Sequence, residues 1–383
     1  MPTEPLPRSL EHPLPTGMRD LLPEEAAARR SLGRRILDEV ERHGYALVTL
    51  PAFEFSEVLE RGLGTLDPAD VLRFIEPESG EVAAFRPDMT PQIARVLATR
   101  LRDRPPPARL AYEGTVLRRR SGRARKHRQI PQVGVELAGV SGPDGDLELL
   151  GLAAAALRAA GLQTFTIDLG DAGIVRALLA DRPAAEQRAV SEALARKDEA
   201  GVADPTLRAL LDLHGGRDAL VEGMRLLAGT TAADAARRLL ALFDAAVARG
   251  LGSCLQADLG EVRGFAYYTG PIFHAYAPGT SDAALSGGRY DELLARFGLP
   301  MAAAGFALDL DRVTEARRAA GVADAAPRRV VVVAGPDDAR LIKLRASGVC
   351  AVAVAERREA HAYAAAWGYT EVLDGDTVTP VGS

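Results

Sequence analysis

An α+β fold spread over two or three domains is what this 383-residue sequence predicts, and three stretches predict it. From Leu110 to Gly139 the pattern is strand, cationic loop, strand: Leu110, Tyr112 and Leu117 lead in, Arg118, Arg119, Arg120, Arg123, Arg125, Lys126 and Arg128 form the turn, and Val133, Val135 and Leu137 alternate on the return. From about Ala172 to Arg249 nearly every segment has helical periodicity and few β-branched runs. The end of the chain reads β-α-β-α-β.

Composition bounds the function. A net charge of −5 argues against broad nucleic-acid binding, because phosphate affinity needs a cationic face and the one basic loop is not a face. Cys254 and Cys350 lie far apart and the six histidines show no ligand spacing, so neither a zinc site nor a disulfide framework is expected, and no metal or cofactor is assigned. The Met-Pro-Thr-Glu start lacks a secretory leader's apolar core and no apolar run is long enough to span a bilayer, so a cytoplasmic location with no membrane partner is expected.

Taken in order, Asp20 is placed to cap a helix opening at Pro23, with Leu32, Ile36, Leu37 and Val40 on one face and His43-Gly44 at its end. Tyr45 to Leu50 reads as a strand stopped by Pro51. Phe85-Arg86-Pro87-Asp88-Met89-Thr90 reads as a strand end passing into a helix through Ile93, Val96, Leu97 and Leu101, with Asp88 or Thr90 as the cap and Pro91 at the first position. In the returning hairpin strand Gln132 and Glu136 are four apart and so face one side. Asp146 to Ala160 reads as a helix and Phe165 to Leu169 as a strand. Strands return at Cys254 to Asp258, Val262 to Gly270 and Ile272 to Tyr276; Ser286-Gly287-Gly288-Arg289-Tyr290-Asp291 then reads as a glycine corner opening a helix toward Phe297. Ala304 to Val313 is a strand passing into a helix, with Arg312 projecting back over the sheet.

These blocks, in this order, resemble class II aminoacyl-tRNA synthetases and, within them, histidyl-tRNA synthetase. Gly44-Tyr45 to Pro51 with its preceding helix looks like motif 1, Arg118 to Glu136 like motif 2 and Gly305 to Arg312 like motif 3; the Phe85–Thr90, Arg263–Tyr268 and Gly287–Asp291 blocks resemble the histidine enzymes more specifically. The resemblance covers roughly residues 14 to 318. It implies an antiparallel sheet flanked by helices, a core of residues 1–170 and 255–320 interrupted by a helical insertion at 171–254, and dimerisation through motif 1. It also implies a histidine pocket in which Asp88, Gln132 and Glu136 hold the α-amino group, Tyr267 or Tyr268 lies near the imidazole, and Thr90 and Arg263 contribute. An ammonium does want converging carboxylate and amide oxygens.

The nucleotide half departs from the pattern. Arg118, Arg263 and Arg312 match the family's phosphate-clamping arginines, but Arg120 stands where the family carries a glutamate, Ile130 where it carries an adenine-stacking phenylalanine, and Asp309 where motif 3 has glycine. At ~4 Å and an effective dielectric near 20, a carboxylate facing a phosphate costs roughly 4 kcal/mol, about a thousandfold in affinity. Loss of aminoacyl-adenylate formation is therefore expected. The tail at 328–383, after the linker Gly321 to Pro327, looks like an abbreviated form of the synthetase's anticodon-reading domain, so no tRNA partner is expected. A histidine pocket with a damaged nucleotide site and a short tail resembles the regulatory subunits of ATP phosphoribosyltransferase. That resemblance implies a non-catalytic chain in histidine biosynthesis, with L-histidine as ligand and a homodimer inside a larger hetero-oligomer. The chain would activate the short-form catalytic subunit and help convey feedback by histidine, and the basic loop is a candidate contact with that subunit. The alternative is a divergent histidyl-tRNA synthetase or histidine-activating ligase, which the retained Arg118, Arg263 and Arg312 favour.

Overall fold

The computed structural model describes residues 14–63, 71–118, 127–262, 267–323 and 328–381. Two compact units divide the chain: residues 29–322 with the leader up to Asp20, and Leu21–Ala28 with the residues from 323 onward.

The first unit is built on one sheet. In chain order its elements are α1 (Pro23–Arg42, whose first residues belong to the second unit), β1 (Ala46–Leu47), β2 (Phe53–Phe55), α2 (Ser56–Leu63), β3 (Arg73–Ile75), β4 (Val82–Phe85), α3 (Thr90–Thr99), β5 (Ala108–Leu117), β6 (Gln129–Ala138), α4 (Asp144–Ala159) and β7 (Thr166–Asp171). After a run of helices broken by the two-residue β8 (His214–Gly215) come β9 (Leu255–Asp258), β10 (Pro271–Tyr276), β11 (Leu285–Arg289), β12 (Ala303–Asp309) and α5 (Leu310–Ala319). The nine-stranded sheet runs β1-β5-β6-β12-β11-β10-β7-β9-β8. It is antiparallel at its centre, while β1 pairs parallel to β5 and β7 parallel to β9. A separate three-stranded sheet, β2-β4-β3, stands beside it. The strand expected over Tyr45 to Leu50 shortens to two paired residues because Ala46 and Leu47 sit at the sheet's edge, where one side has no partner strand.

Helical periodicity places the core. Leu32, Ile36, Leu37 and Val40 of α1 are buried together with Ala111, Val133 and Val135 of the hairpin and the apolar stripe of α4. Each such side chain contributes roughly 1.5–3 kcal/mol on leaving water. A second cluster on the other side gathers Met89, Ile93, Leu97, Tyr112, Ile130, Tyr267 and Tyr290. Ile130, which stands where the resemblance has an adenine-stacking phenylalanine, is a buried member of this cluster.

Two local expectations fail. Gly287 and Gly288 lie inside β11 and no helix opens at Asp291; only a short 3-10 turn forms at Leu294–Phe297. A Cβ on Gly287 would meet the Gly305 carbonyl oxygen at 2.5 Å, so close strand packing, not a corner, demands the glycine. Neither Asp88 nor Thr90 caps α3: the cap position is Met89 with no side-chain bond.

The second unit carries its own sheet: β13 (Arg329–Val333), β14 (Cys350–Val354), β15 (Glu371–Asp374) and β16 (Thr377–Pro380), in the order β14-β13-β15-β16. β13 is parallel to both neighbours through crossover helices at Ala339–Ala346 and Arg357–Ala366, which gives the expected β-α-β-α-β order. The final antiparallel β16 is additional. Its turn is Gly375-Asp376, with Gly375 at φ +59°, a backbone region that glycine enters without steric cost. Val331, Ala360, Ala364 and Val372 fill one side of this sheet and Val330, Val332, Leu341 and Ala351 the other. No helix among the described residues is long and apolar enough to cross a membrane.

Candidate functional site

The hairpin builds the floor of the site. β5 and β6 pair over ten residues, and the register sets Tyr112 opposite Gly134. Gly134 lies between Gln132 and Glu136 on the same face, and a Cβ there would fall 2.4 Å from the Tyr112 ring, so the ring occupies the space the glycine leaves. On the other side of β6, β12 sets Gly305 opposite Glu136 and Asp309 opposite Gln132. A Cβ on Gly305 would lie 2.0 Å from Glu136 Oε2. The bare backbone of Gly305 thus makes room for the Glu136 carboxyl.

Over this floor lies a cavity of about 330 Å³, lined by Asp88, Thr90, Tyr112, Arg118, Gln132, Tyr267, Tyr268, His274, Ser286, Tyr290 and Asp309 among others. The turn before α3 delivers Asp88 and Thr90. Asp88 Oδ2 accepts the Tyr267 hydroxyl at 2.8 Å, and Thr90 Oγ1 donates to Glu136 Oε1 at 2.6 Å, so both are turned into the site. Tyr112 donates to the same Glu136 oxygen at 3.3 Å. Tyr267 packs edge-on against Tyr268 and Tyr290, with ring centres 4.9 and 5.3 Å away, closing an aromatic corner. Arg118 Nε donates to the Pro87 carbonyl at 2.7 Å, which holds its guanidinium at the edge of the cavity.

The electrostatics of this end favour a cation. Asp88 and Glu136 are both buried, and Gln132 Oε1 and Glu136 Oε2 are buried acceptors that no donor meets. Leaving such an acceptor unpaired costs about 1–3 kcal/mol. Burial pushes the Glu136 carboxyl well above the usual carboxylate range, and the Asp88 charge adds to this, against the Thr90 and Tyr112 hydroxyls. Burial likewise raises Tyr112 and Tyr267, so both remain neutral donors.

The opposite end is filled. Asp309 caps α5, its Oδ1 accepting the amides of Asp311 and Arg312 at 3.0 and 3.3 Å. The helix terminus that could meet an anion is occupied by the chain's own carboxylate. Because those amides offset part of its charge, the roughly 4 kcal/mol expected against a phosphate is an upper figure. Arg312 is bracketed by Glu315 at 2.8 Å and Asp282 at 3.3 Å. It does not line the cavity.

The structure therefore brings Asp88, Thr90, Gln132, Tyr267 and Tyr268 to one cavity with Glu136 directly behind its wall, and sets Ile130 and Arg312 outside it. Arg120 and Arg263 lie outside the described residues, as does the loop through Arg123, Arg125 and Lys126. Sequence reasoning missed Tyr112, Tyr290, His274 and Ser286 as lining residues. The hairpin register held a signal for Tyr112, since the residue opposite a glycine between two site residues must lean over it. His274 and Ser286 are cross-strand partners joined at 3.0 Å, a pairing that no local pattern announces.

Comparison with known proteins agrees with this geometry. A family model described as histidyl-tRNA synthetase matches residues 17–313. The ATP phosphoribosyltransferase regulatory subunit of Moorella thermoacetica is 40% identical over 93% of this chain and 96% of its own length. That of an Anaeromyxobacter species is 43% identical over 84% of this chain and 98% of its own. Among solved structures, one described as an ATP phosphoribosyltransferase regulatory subunit/histidyl-tRNA synthetase from Bacillus halodurans superposes with a TM-score of 0.80 at 29% identity, covering 94% of this chain and 97% of that one. The class II synthetase-like α+β fold and the site it carries thus place this chain in the family of ATP phosphoribosyltransferase regulatory subunits.

Proposed function

We propose that this chain is a non-catalytic subunit that activates a short-form ATP phosphoribosyltransferase catalytic subunit and conveys feedback by L-histidine in the first step of histidine biosynthesis. One observation carries the reading: Asp88 and the unmet acceptor Gln132 Oε1 line the cavity with Glu136 Oε2 behind its wall, while Asp309, which also lines it, is committed to the amides of α5. The first arrangement suits an amino acid's ammonium. The second disfavours a triphosphate. The names of the relatives supply the catalytic partner. Feedback then requires histidine to bind two states of the assembly unequally.

A homodimer is part of the proposal, and an apolar face beside the motif 1 strand supports it. Phe53, Phe55, Phe74 and Phe85, four of the chain's ten phenylalanines, share one face of the β2-β4-β3 sheet, and three of them are more than a third exposed. A cluster of that kind on a protein surface marks a contact. The basic loop around Arg123 and Arg125 is proposed as a contact with the catalytic subunit; charge reversal at both positions is expected to weaken assembly.

The deciding experiment mixes the purified chain with a short-form catalytic subunit and follows phosphoribosyl transfer with and without histidine. Stimulation by the chain and inhibition by histidine are expected. Histidine-dependent pyrophosphate exchange at a synthetase-like rate would instead support the ligase reading.

A further inference from the structure

Glu136 is a buried carboxyl of the site with no described cation acting on it. Its neighbours come from every side of the floor. The turn before α3 gives Asp88, an anion, and Thr90, a neutral donor. β5 gives Tyr112, β12 gives Gly305 with no side chain, the segment before β10 gives Tyr267 and Tyr268, and Tyr45 belongs to the cluster on the sheet's other face with Val133 and Val135. Arg118 is the guanidinium among the described lining residues, and its Nε is engaged by Pro87. One carboxylate and several phenols thus surround a second carboxyl that is almost wholly out of water. Two negative charges so placed repel, and desolvation disfavours the second.

We infer that seating the cationic end of a ligand in this cavity drives the Glu136 carboxyl to release one proton, so that occupancy is tied to pH. In the empty site the Oε2–H bond persists. When the ligand's ammonium enters beside Asp88 and Gln132, it supplies the missing positive charge, the O–H bond breaks, the proton leaves to buffer, and the carboxylate stays charged behind the cavity wall. This rests on the amino-acid reading given above.

The sign follows from the direction of the shift. Burial raises the free protein's carboxyl above its ordinary value, so below that raised value the empty site holds the proton that the filled site lacks. Linkage then makes affinity rise with pH, by up to about tenfold per pH unit, and level off once the empty site ionises unaided.

The test is titration calorimetry with L-histidine at several pH values between 6 and 8.5, in buffers of different ionisation heat, on the wild type and on Glu136→Gln. Both proteins meet the same titrating ligand, so the difference in proton count isolates this group. Close to one extra proton released by the wild type is expected, with a flatter affinity profile for the variant. Infrared difference spectra of the wild type supply a readout independent of the variant's fold: histidine should remove the carbonyl stretch of a protonated carboxylic acid. Histidine binding with no such loss and no proton release overturns the inference while leaving the amino-acid site intact. Failure of the wild type to bind histidine at all overturns both.

Discussion

The two ends of one cavity are built from neighbouring residues of the same two strands and yet are opposites. At the Glu136–Gly305 pair, Glu136 Oε2 is buried with no donor to meet it. Toward Asp309, donors and charges are spent within the chain, the carboxylate on the helix amides and Arg312 on Glu315 and Asp282. What the difference teaches is that internal pairing can commit one part of a cavity and leave another open to a ligand, with no change to the strands that carry it.

The contrast can be broken at its strongest point by Asp88→Asn. That change keeps the shape and the Tyr267 contact but removes the buried charge that faces the ligand, and a loss of 2 kcal/mol or more, on the order of thirtyfold or greater in histidine affinity, is expected by calorimetry. An unchanged affinity would show that Asp88 is not the ammonium's partner. Gly305→Ala should cost about 1–3 kcal/mol of stability, because the added methyl collides with Glu136 Oε2 and the Val135 carbonyl, neither of which has room to retreat. Denaturant unfolding reads this directly. The smallest effect is expected at the other end: Asp309→Gly removes the cap of α5 and should cost about 1 kcal/mol in the same assay. It also frees the amides of Asp311 and Arg312, so ATP binding measured alongside should strengthen. If it does not, Arg312's carboxylate partners, not Asp309, are what exclude the nucleotide.

The sequence made the floor of the site readable and left its walls obscure, for a physical reason. Strand alternation alone puts Gln132 and Glu136 on one side, and the two strands of the hairpin pair as the pattern predicts. The stripes on α1 and α4 were equally plain. Periodicity carries nothing about partners far along the chain, so the local pattern of Asp88 and Thr90 offers only helix capping, and their place in the pocket came from the resemblance. The glycines of β11 were read as a corner because glycine is rare in strands, yet here the tight approach of β12 selects it. The closing β16 was missed although Asp374-Gly375-Asp376 is a hairpin signal. The fold class and the identity of the pocket came from the order of several blocks, each weak alone.

The contact between Tyr267 and Asp88 spans 179 positions of sequence, and that between Thr90 and Glu136 spans 46. A cavity closed by such distant segments exists only once the central strands have met, so its occupant recognises finished molecules and ignores partly folded ones. By mass action an abundant occupant also enlarges the pool of finished molecules. A small metabolite bound here would thereby report to the cell on how much of its own sensor is ready for use.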